Sequence, residues 1–286
     1  MSKVMVVTDS TSDIPAELLK GQPIVTLPLQ VIWGHESFLD GIEITPHDFY
    51  KRLAVDKVMP STSQVTPEAF KSVYSDLLSK GYDILSIHIA GKLSGTLDSA
   101  QQAKKEFPGA NIELVDSQSV SMALGFQVLS AARMAGINAS MKECKSVAQQ
   151  AGKNAGVYFV LRTLEFLHRG GRIGGAQAFL GNMLNLKPLL EIRGGQVEAV
   201  ERVRTMNKAI DRMLELVQLR LQDEAGPIRL CAVHANAHAE AVHLLERAQE
   251  RFPKSLISDA VISTVSPVLG THSGPGALGL AFLPGM

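Results

Sequence analysis

Two hydrophobic periods alternate along this chain, one of about two residues and one of about 3.6, and their order predicts strands interleaved with helices. Lys3 to Thr8 is a short β-branched apolar run and reads as a buried strand. It runs into Asp9-Ser10-Thr11-Ser12-Asp13, side chains that cap helices and bond their own backbone, and Pro15 suits the first turn of a helix. Ile24 to Trp33 reads as a second extended region, and Thr45-Pro46-His47-Asp48 as a helix start. The period then becomes helical. Thr66 caps, Pro67 opens, Phe70, Val73, Tyr74, Leu77 and Leu78 share one face, and Gly81 ends the helix. Ile84 to Ile89 reads as a strand, Leu93-Ser94-Gly95-Thr96 as the entry to a helix running towards Glu106, and Asn111 to Val115 as a strand ending in Asp116-Ser117. Helices follow over Met122 to Ala135 and Ser140 to Ala151, the latter with Ser140 and Glu143 at capping-box spacing.

The texture changes near Gly156. Val157 to Leu161 reads as a strand and Thr163 to His168 as a short helix. Arg169 to Gly175 carries four glycines in seven residues and cannot be a helix interior cheaply. Leu189 to Ile192 and Val197 to Val203 flank Arg193-Gly194-Gly195-Gln196, a hairpin signal. Thr205 caps a helix reaching Gln222. Then come a strand at Ile228 to His234, a helix at Ala237 to Phe252, a strand at Ala260 to Val265, a loop over Thr271 to Gly276, and a last strand at Leu278 to Leu283. The pattern predicts an α/β protein. An N-terminal domain, residues 1–155, has a parallel sheet covered by helices on both faces, and a C-terminal α/β domain, residues 156–286, has a mixed sheet because of the hairpin.

Composition narrows the class. Lys plus Arg and Asp plus Glu are 28 each, a balance that points away from nucleic acid. Cys144 and Cys231 have neither pairing nor metal-ligand spacing, no set of histidines suggests a metal, and no cofactor motif is present. No signal peptide and no apolar run of spanning length is read, which predicts a soluble cytoplasmic protein.

Ligands of open parallel sheets bind beyond the carboxyl ends of the strands. Three polar clusters fall there: Asp9 to Asp13, Ser94-Gly95-Thr96, and Asp116-Ser117. In the second, hydroxyls and free helix N–H groups can converge on an anion, and Gly95 would let a ligand approach the backbone; a plain helix cap is the simpler alternative. Pro60-Ser61-Thr62-Ser63-Gln64 reads as a hydroxyl-rich loop. Arg169 to Gly175 reads as either a phosphate cradle or a connecting turn, and no GxxxxGK[ST] pattern exists in the chain. His272 gains meaning only if it meets Ser94 across a cleft. That pair would suit a serine esterase, although Gly91-Lys92-Leu93-Ser94-Gly95 is not a GxSxG elbow.

In order, Val7-Thr8-Asp9-Ser10-Thr11-Ser12-Asp13-Ile14-Pro15, Thr62-Ser63-Gln64, Leu93-Ser94-Gly95-Thr96 with Ser99-Ala100, and Val115-Asp116-Ser117 resemble the motifs of the DegV family. So do Thr163-Leu164-Glu165-Phe166-Leu167 through Gly174, Val203-Arg204-Thr205, and Thr271-His272-Ser273-Gly274-Pro275-Gly276, so that the resemblance covers nearly the whole chain. Val65 departs from the proline often found after Thr-Ser-Gln. The resemblance implies a two-domain fold with a long-chain fatty acid, such as palmitate or oleate, at the domain junction. It implies a lipid-binding protein, not an enzyme by itself, that presents the carboxylate to a separate ATP-binding kinase subunit for acyl phosphate formation. Thr62 and Ser94 would hold the carboxylate, His272 would add a head-group contact, and Arg172 and Arg204 would lie near the exit for the phosphoryl group or the partner. It allows transient contact with a membrane surface. A serine esterase using Ser94 and His272, or a regulatory lipid sensor, remain the alternatives. Physically, a buried tail offers about 0.8 kcal/mol per CH₂, and a buried carboxylate is tolerable only where donors converge on it.

Overall fold

The computed structural model describes residues 3–182, 186–224 and 226–285; residues 1–2 and 286, at which the two-domain reading begins and ends, lie outside the described residues. The first half runs β1 (Lys3–Asp9), α1 (Ala16–Leu19), β2 (Ile24–Leu27), β3 (Gln30–Trp33), β4 (Glu36–Leu39), α2 (Pro46–Leu53), β5 (Ser61–Ser63), α3 (Pro67–Ser79), β6 (Tyr82–His88), α4 (Thr96–Lys104), β7 (Ile112–Asp116), α5 (Met122–Gly136) and α6 (Met141–Asn154). The second half runs β8 (Gly156–Val160), α7 (Glu165–Arg169), a 3₁₀ stretch (Gly174–Asn182), β9 (Lys187–Arg193), β10 (Gln196–Val203), α8 (Met206–Arg220), β11 (Ile228–His234), α9 (His238–Gln249), β12 (Ile257–Thr264), α10 (Pro267–Ser273) and β13 (Leu278–Pro284).

Three sheets result. A four-stranded parallel sheet has the order β2-β1-β6-β7, and a six-stranded mixed sheet has the order β10-β9-β8-β13-β11-β12. The fold is therefore the α/β class read from the pattern. β9 and β10 pair antiparallel through Gly194 and Gly195, whose φ values of 58° and 80° suit the tight hairpin turn. On α3 the buried members of the apolar stripe are Phe70, Tyr74 and Leu77, with Thr66 capping through Ala69 N.

The third sheet, β4-β3-β5, corrects two sequence expectations. Ile24 to Trp33 is not one extended element: β2 joins the parallel sheet, while β3 turns away to pair antiparallel with β4 and β5. Pro60 to Gln64 is not all loop either, since Ser61–Ser63 form β5, in which Thr62 lies opposite Val31 of β3. A third correction concerns Thr271 to Gly276. Thr271, His272 and Ser273 form the last turn of α10, which Ser266 caps and Pro267 opens. The Ser-Pro pair is a helix start that the following glycines obscured.

α10 belongs by sequence to the second half but packs on α2, β3 and β5 of the first. Trp33 and Phe49 meet edge to face at 5.5 Å beside it. The largest apolar cluster likewise draws on both halves, from Val7, Phe49 and Phe70 to Val157, Val233 and Ala281. The sheets divide near residue 155, but the core is continuous across that point.

Candidate functional site

Between the carboxyl end of the parallel sheet and one face of the mixed sheet lies a cavity of about 1000 Å³, its open mouth included. Its polar rim is built from distant segments. β5 brings Thr62 and Ser63, the turn after β6 brings Ser94, the approach to α5 brings Ser121, and α10 brings His272. Its deeper wall is apolar and comes largely from the mixed sheet: Val157, Phe159, Ile192, Val197, Val233 and Leu278. Val157, Phe159, Ile192, Val197 and Val233 share one face of the sheet, whereas Leu278 reaches the cavity from the start of β13.

The polar groups are pre-oriented. Thr62 Oγ1 and His272 Nε2 are 2.9 Å apart. Ser94 Oγ lies 2.9 Å from Thr96 Oγ1 and accepts from Thr96 N at 3.3 Å. α4 begins at Gly95 without a side-chain cap, leaving its N-terminal end polarised towards the rim. Gly95 itself faces Gln64: a Cβ there would come within 2.9 Å of the Gln64 amide, so the close approach that Gly95 permits is to Gln64. His272 Nδ1 is buried without a partner and packs against Gly170, where a Cβ would collide with the ring. Burial, reinforced by the charge of Arg172, pulls the His272 imidazole down from 6.5 to about 4, so it is uncharged at neutral pH.

Thr62, Ser94, His272 and Arg172 thus line one cavity. Arg172 is exposed at its mouth and donates to Leu93 O at 3.1 Å and Gly170 O at 2.7 Å, which ties the glycine-rich segment to the turn that carries Ser94. Arg204 is exposed just beyond β10 and is not part of the lining. Of the other polar clusters, Asp116 caps local backbone through Gln118 N at 2.8 Å, and Asp13 lines a second cavity with Ser10, Asp40 and Ser266. The rim residue Ser121 escaped sequence reading; its only signal is conformational, a φ of 54° in a residue that is not glycine.

The pair needed for an esterase is not formed, because Ser94 engages Thr96 and His272 engages Thr62. A Ser-His-Asp chain does occur elsewhere. Ser86 Oγ lies 2.6 Å from His88 Nε2, and His88 Nδ1 lies 2.9 Å from Asp9 Oδ2. All three are 0% exposed, and Tyr74 donates to Ser86 at 2.7 Å from the far side. That chain lines neither cavity and stitches β1, β6 and α3 together. Among the described residues no cluster of three or more His, Cys, Asp or Glu is placed to hold a metal ion, and no helix is long and apolar enough to cross a membrane.

The family model described as "Uncharacterised protein, DegV family" matches residues 3–285. The chain belongs to the DegV family. A DegV domain-containing protein of Streptomyces coelicolor is 38% identical over 281 residues, covering 97% of each chain. Solved DegV structures share the fold. One from Thermus thermophilus, described as a fatty-acid-binding DegV protein, has a TM-score of 0.92 at 35% identity and covers 99% of each chain. DegV of Bacillus subtilis, described as a fatty acid binding protein, has a TM-score of 0.89 at 32% identity and covers 100% of each chain. Both DegV relatives are thus described as binding the kind of molecule that an apolar cavity with a donor-rich rim would suit.

Proposed function

We propose that this protein binds a long-chain fatty acid with its tail in the apolar cavity and its carboxylate at Thr62 and Ser94, and presents that carboxylate to a separate ATP-dependent kinase subunit. The single observation that carries the reading is the convergence of two hydroxyls and a neutral histidine on the polar rim of a cavity whose remaining wall is largely apolar. A neutral imidazole carries one N–H. Placed on Nε2, it donates to Thr62 Oγ1 and frees the Thr62 proton for a carboxylate oxygen. Thr96 N does the same service for Ser94, since it donates to Ser94 Oγ and leaves that hydroxyl free to donate. Hydrogen bonds to a charged group are worth about 1.5–3 kcal/mol each, enough to offset part of the desolvation of the carboxylate. No cation is locked onto the acid in this arrangement, so its outer oxygen stays nucleophilic towards a phosphoryl donor. Arg172 at the mouth, and Arg204 further out, are the positive residues that would meet that donor or its subunit. The segments on either side of residue 155 then act as two domains with the tail between them.

The test is extraction of the protein purified from cells, with mass spectrometry of the lipid, followed by uptake of labelled oleate by delipidated protein. The expected result is bound C16–C18 acid (on the order of the 10 kcal/mol gross that such a tail supplies) and ATP-dependent acyl phosphate only when a kinase subunit is added. Protein that is empty and takes up no oleate would overturn the binding reading. Protein that binds oleate but yields no acyl phosphate with any kinase subunit of its own cell would leave a lipid sensor as the function.

A further inference from the structure

The head-group rim depends on where α10 lies, and α10 is held at its start by two buried carboxylates that the lipid reading does not use. Asp13 follows β1 in left-handed backbone, with φ 49°, and Asp40 follows β4. Asp13 Oδ1 accepts from Ser266 N at 3.0 Å, and Asp40 Oδ1 accepts from Val268 N at 3.2 Å. Their second oxygens accept from Ser121 Oγ and Ser10 Oγ, each at 2.6 Å. Ser10 Oγ in turn accepts from Leu29 N at 3.1 Å, and Ser263 donates to the Asp13 carbonyl. Each carboxylate therefore joins the first turn of α10 to the first half of the chain. The first-turn N–H groups of a helix lack intrahelical acceptors, so two buried carboxyl oxygens are well suited to hold it whether or not the acid is ionised. Further along, Gly270 lies against Phe49 and Tyr50, and the Tyr50 hydroxyl donates to Val265 O at 3.2 Å. With a rise of about 1.5 Å per residue, the arm from Ser266 to His272 is roughly 9 Å long.

We propose that Asp13 and Asp40 are positioning residues of the head-group site, fixing the first turn of α10 and thereby the His272–Thr62 contact. This rests on the reading of that rim as the carboxylate site. The groups that face the two acids are Asp9 on β1, Tyr50 on α2 and Cys231 on β11, together with each other, and none is a cation. The hydroxyls of Ser121 and Ser10, followed by the backbone N–H groups of Ser266 and Val268, are what favour their charged forms.

The experiment uses the full chain, delipidated, with oleate as probe and the His272 ring resonances as a local reporter. Wild type is measured first: if it binds no oleate, the carboxylate reading fails, and the clamp is then judged on the resonances alone. Asp40→Ala should weaken oleate binding about tenfold and shift the His272 resonances, whereas Asp40→Asn, which keeps an acceptor for Val268 N, should stay within about twofold of wild type. Leu244→Ala, on the buried face of α9, supplies a comparable loss of stability and should leave both readouts unchanged. Unchanged affinity and unchanged resonances in Asp40→Ala would overturn the proposal, as would equal effects of Asp40→Ala and Leu244→Ala. If Asp40→Ala does not fold, Ser10→Ala takes its place: a shift of the His272 resonances supports the clamp, and no shift overturns it.

Discussion

His272 and Thr62 stand 210 positions apart in the chain, and their side chains meet at 2.9 Å on the rim of the apolar cavity. That contact joins the last turn of α10 to β5 and fixes the position of the Thr62 hydroxyl; with the imidazole proton placed on Nε2, that hydroxyl is left to donate.

Removing either hydroxyl should therefore cost head-group binding and spare the tail. Thr62→Val and Ser94→Ala are each expected to weaken oleate binding about ten- to a hundredfold, the loss of one charge-assisted hydrogen bond. Binding of oleyl alcohol, which keeps the tail and lacks the carboxylate, should change much less. Isothermal titration with both ligands checks this, and equal losses for acid and alcohol would refute the assignment.

Gly170 makes room for the imidazole. A methyl group there collides with the His272 ring, so Gly170→Ala should push the ring off Thr62 and reproduce the binding defect of His272→Ala. A binding measurement on the double variant is the check: the two effects should not add, because both act through the same contact.

Folding stability should carry a signature of Asp13. Burial pushes its carboxyl up from 3.8 to about 8. A group whose pKa is higher in the folded state contributes stability that is fully present below the unfolded value and is lost as pH rises through the folded one. Each pKa unit is worth about 1.4 kcal/mol, so wild type should lose stability between about pH 4 and pH 8 relative to Asp13→Asn. Asn stands in for the uncharged acid and keeps an oxygen to accept from Ser266 N. Urea unfolding of both proteins across that range tests the sign; parallel curves would count against it.

The sealed Ser86-His88-Asp9 chain should behave as structure and not as chemistry. Ser86→Ala leaves the Tyr74 hydroxyl and His88 Nε2 without their partner and is expected to cost about 1–3 kcal/mol of folding stability, with oleate affinity within about twofold of wild type. Thermal unfolding and titration decide it, and a lipid-binding defect at unchanged stability would reverse the assignment.

The elements visible in the sequence are those whose stability is local or periodic. The stripe of Phe70, Tyr74 and Leu77, the Thr66 and Ser140 caps, and the Gly194-Gly195 turn each place a physical requirement on neighbouring residues, and each appears where the pattern puts it. β3, β4 and β5 are only 4, 4 and 3 residues long, and β5, which carries Thr62, is wholly polar. Their pairing depends on partners elsewhere, so nothing local distinguishes Thr62 in a strand from Thr62 in a loop. α10 was hidden for a related reason: besides the local Ser266 cap, its seven residues are held by two aspartates more than 200 positions away and by packing on α2, β3 and β5.

By itself the sequence determined the alternating strands and helices, the parallel and mixed sheets, and, through its ordered motifs, the family. Local propensity, periodicity and turn chemistry act between near neighbours and are written in consecutive residues. Which hydroxyl faces which histidine, which aliphatic side chains leave the core to line a cavity, and why Asp13 titrates far from its ordinary range were decided only by tertiary structure. Each of those depends on burial and on groups contributed by remote segments, and neither exists until the chain has closed on itself.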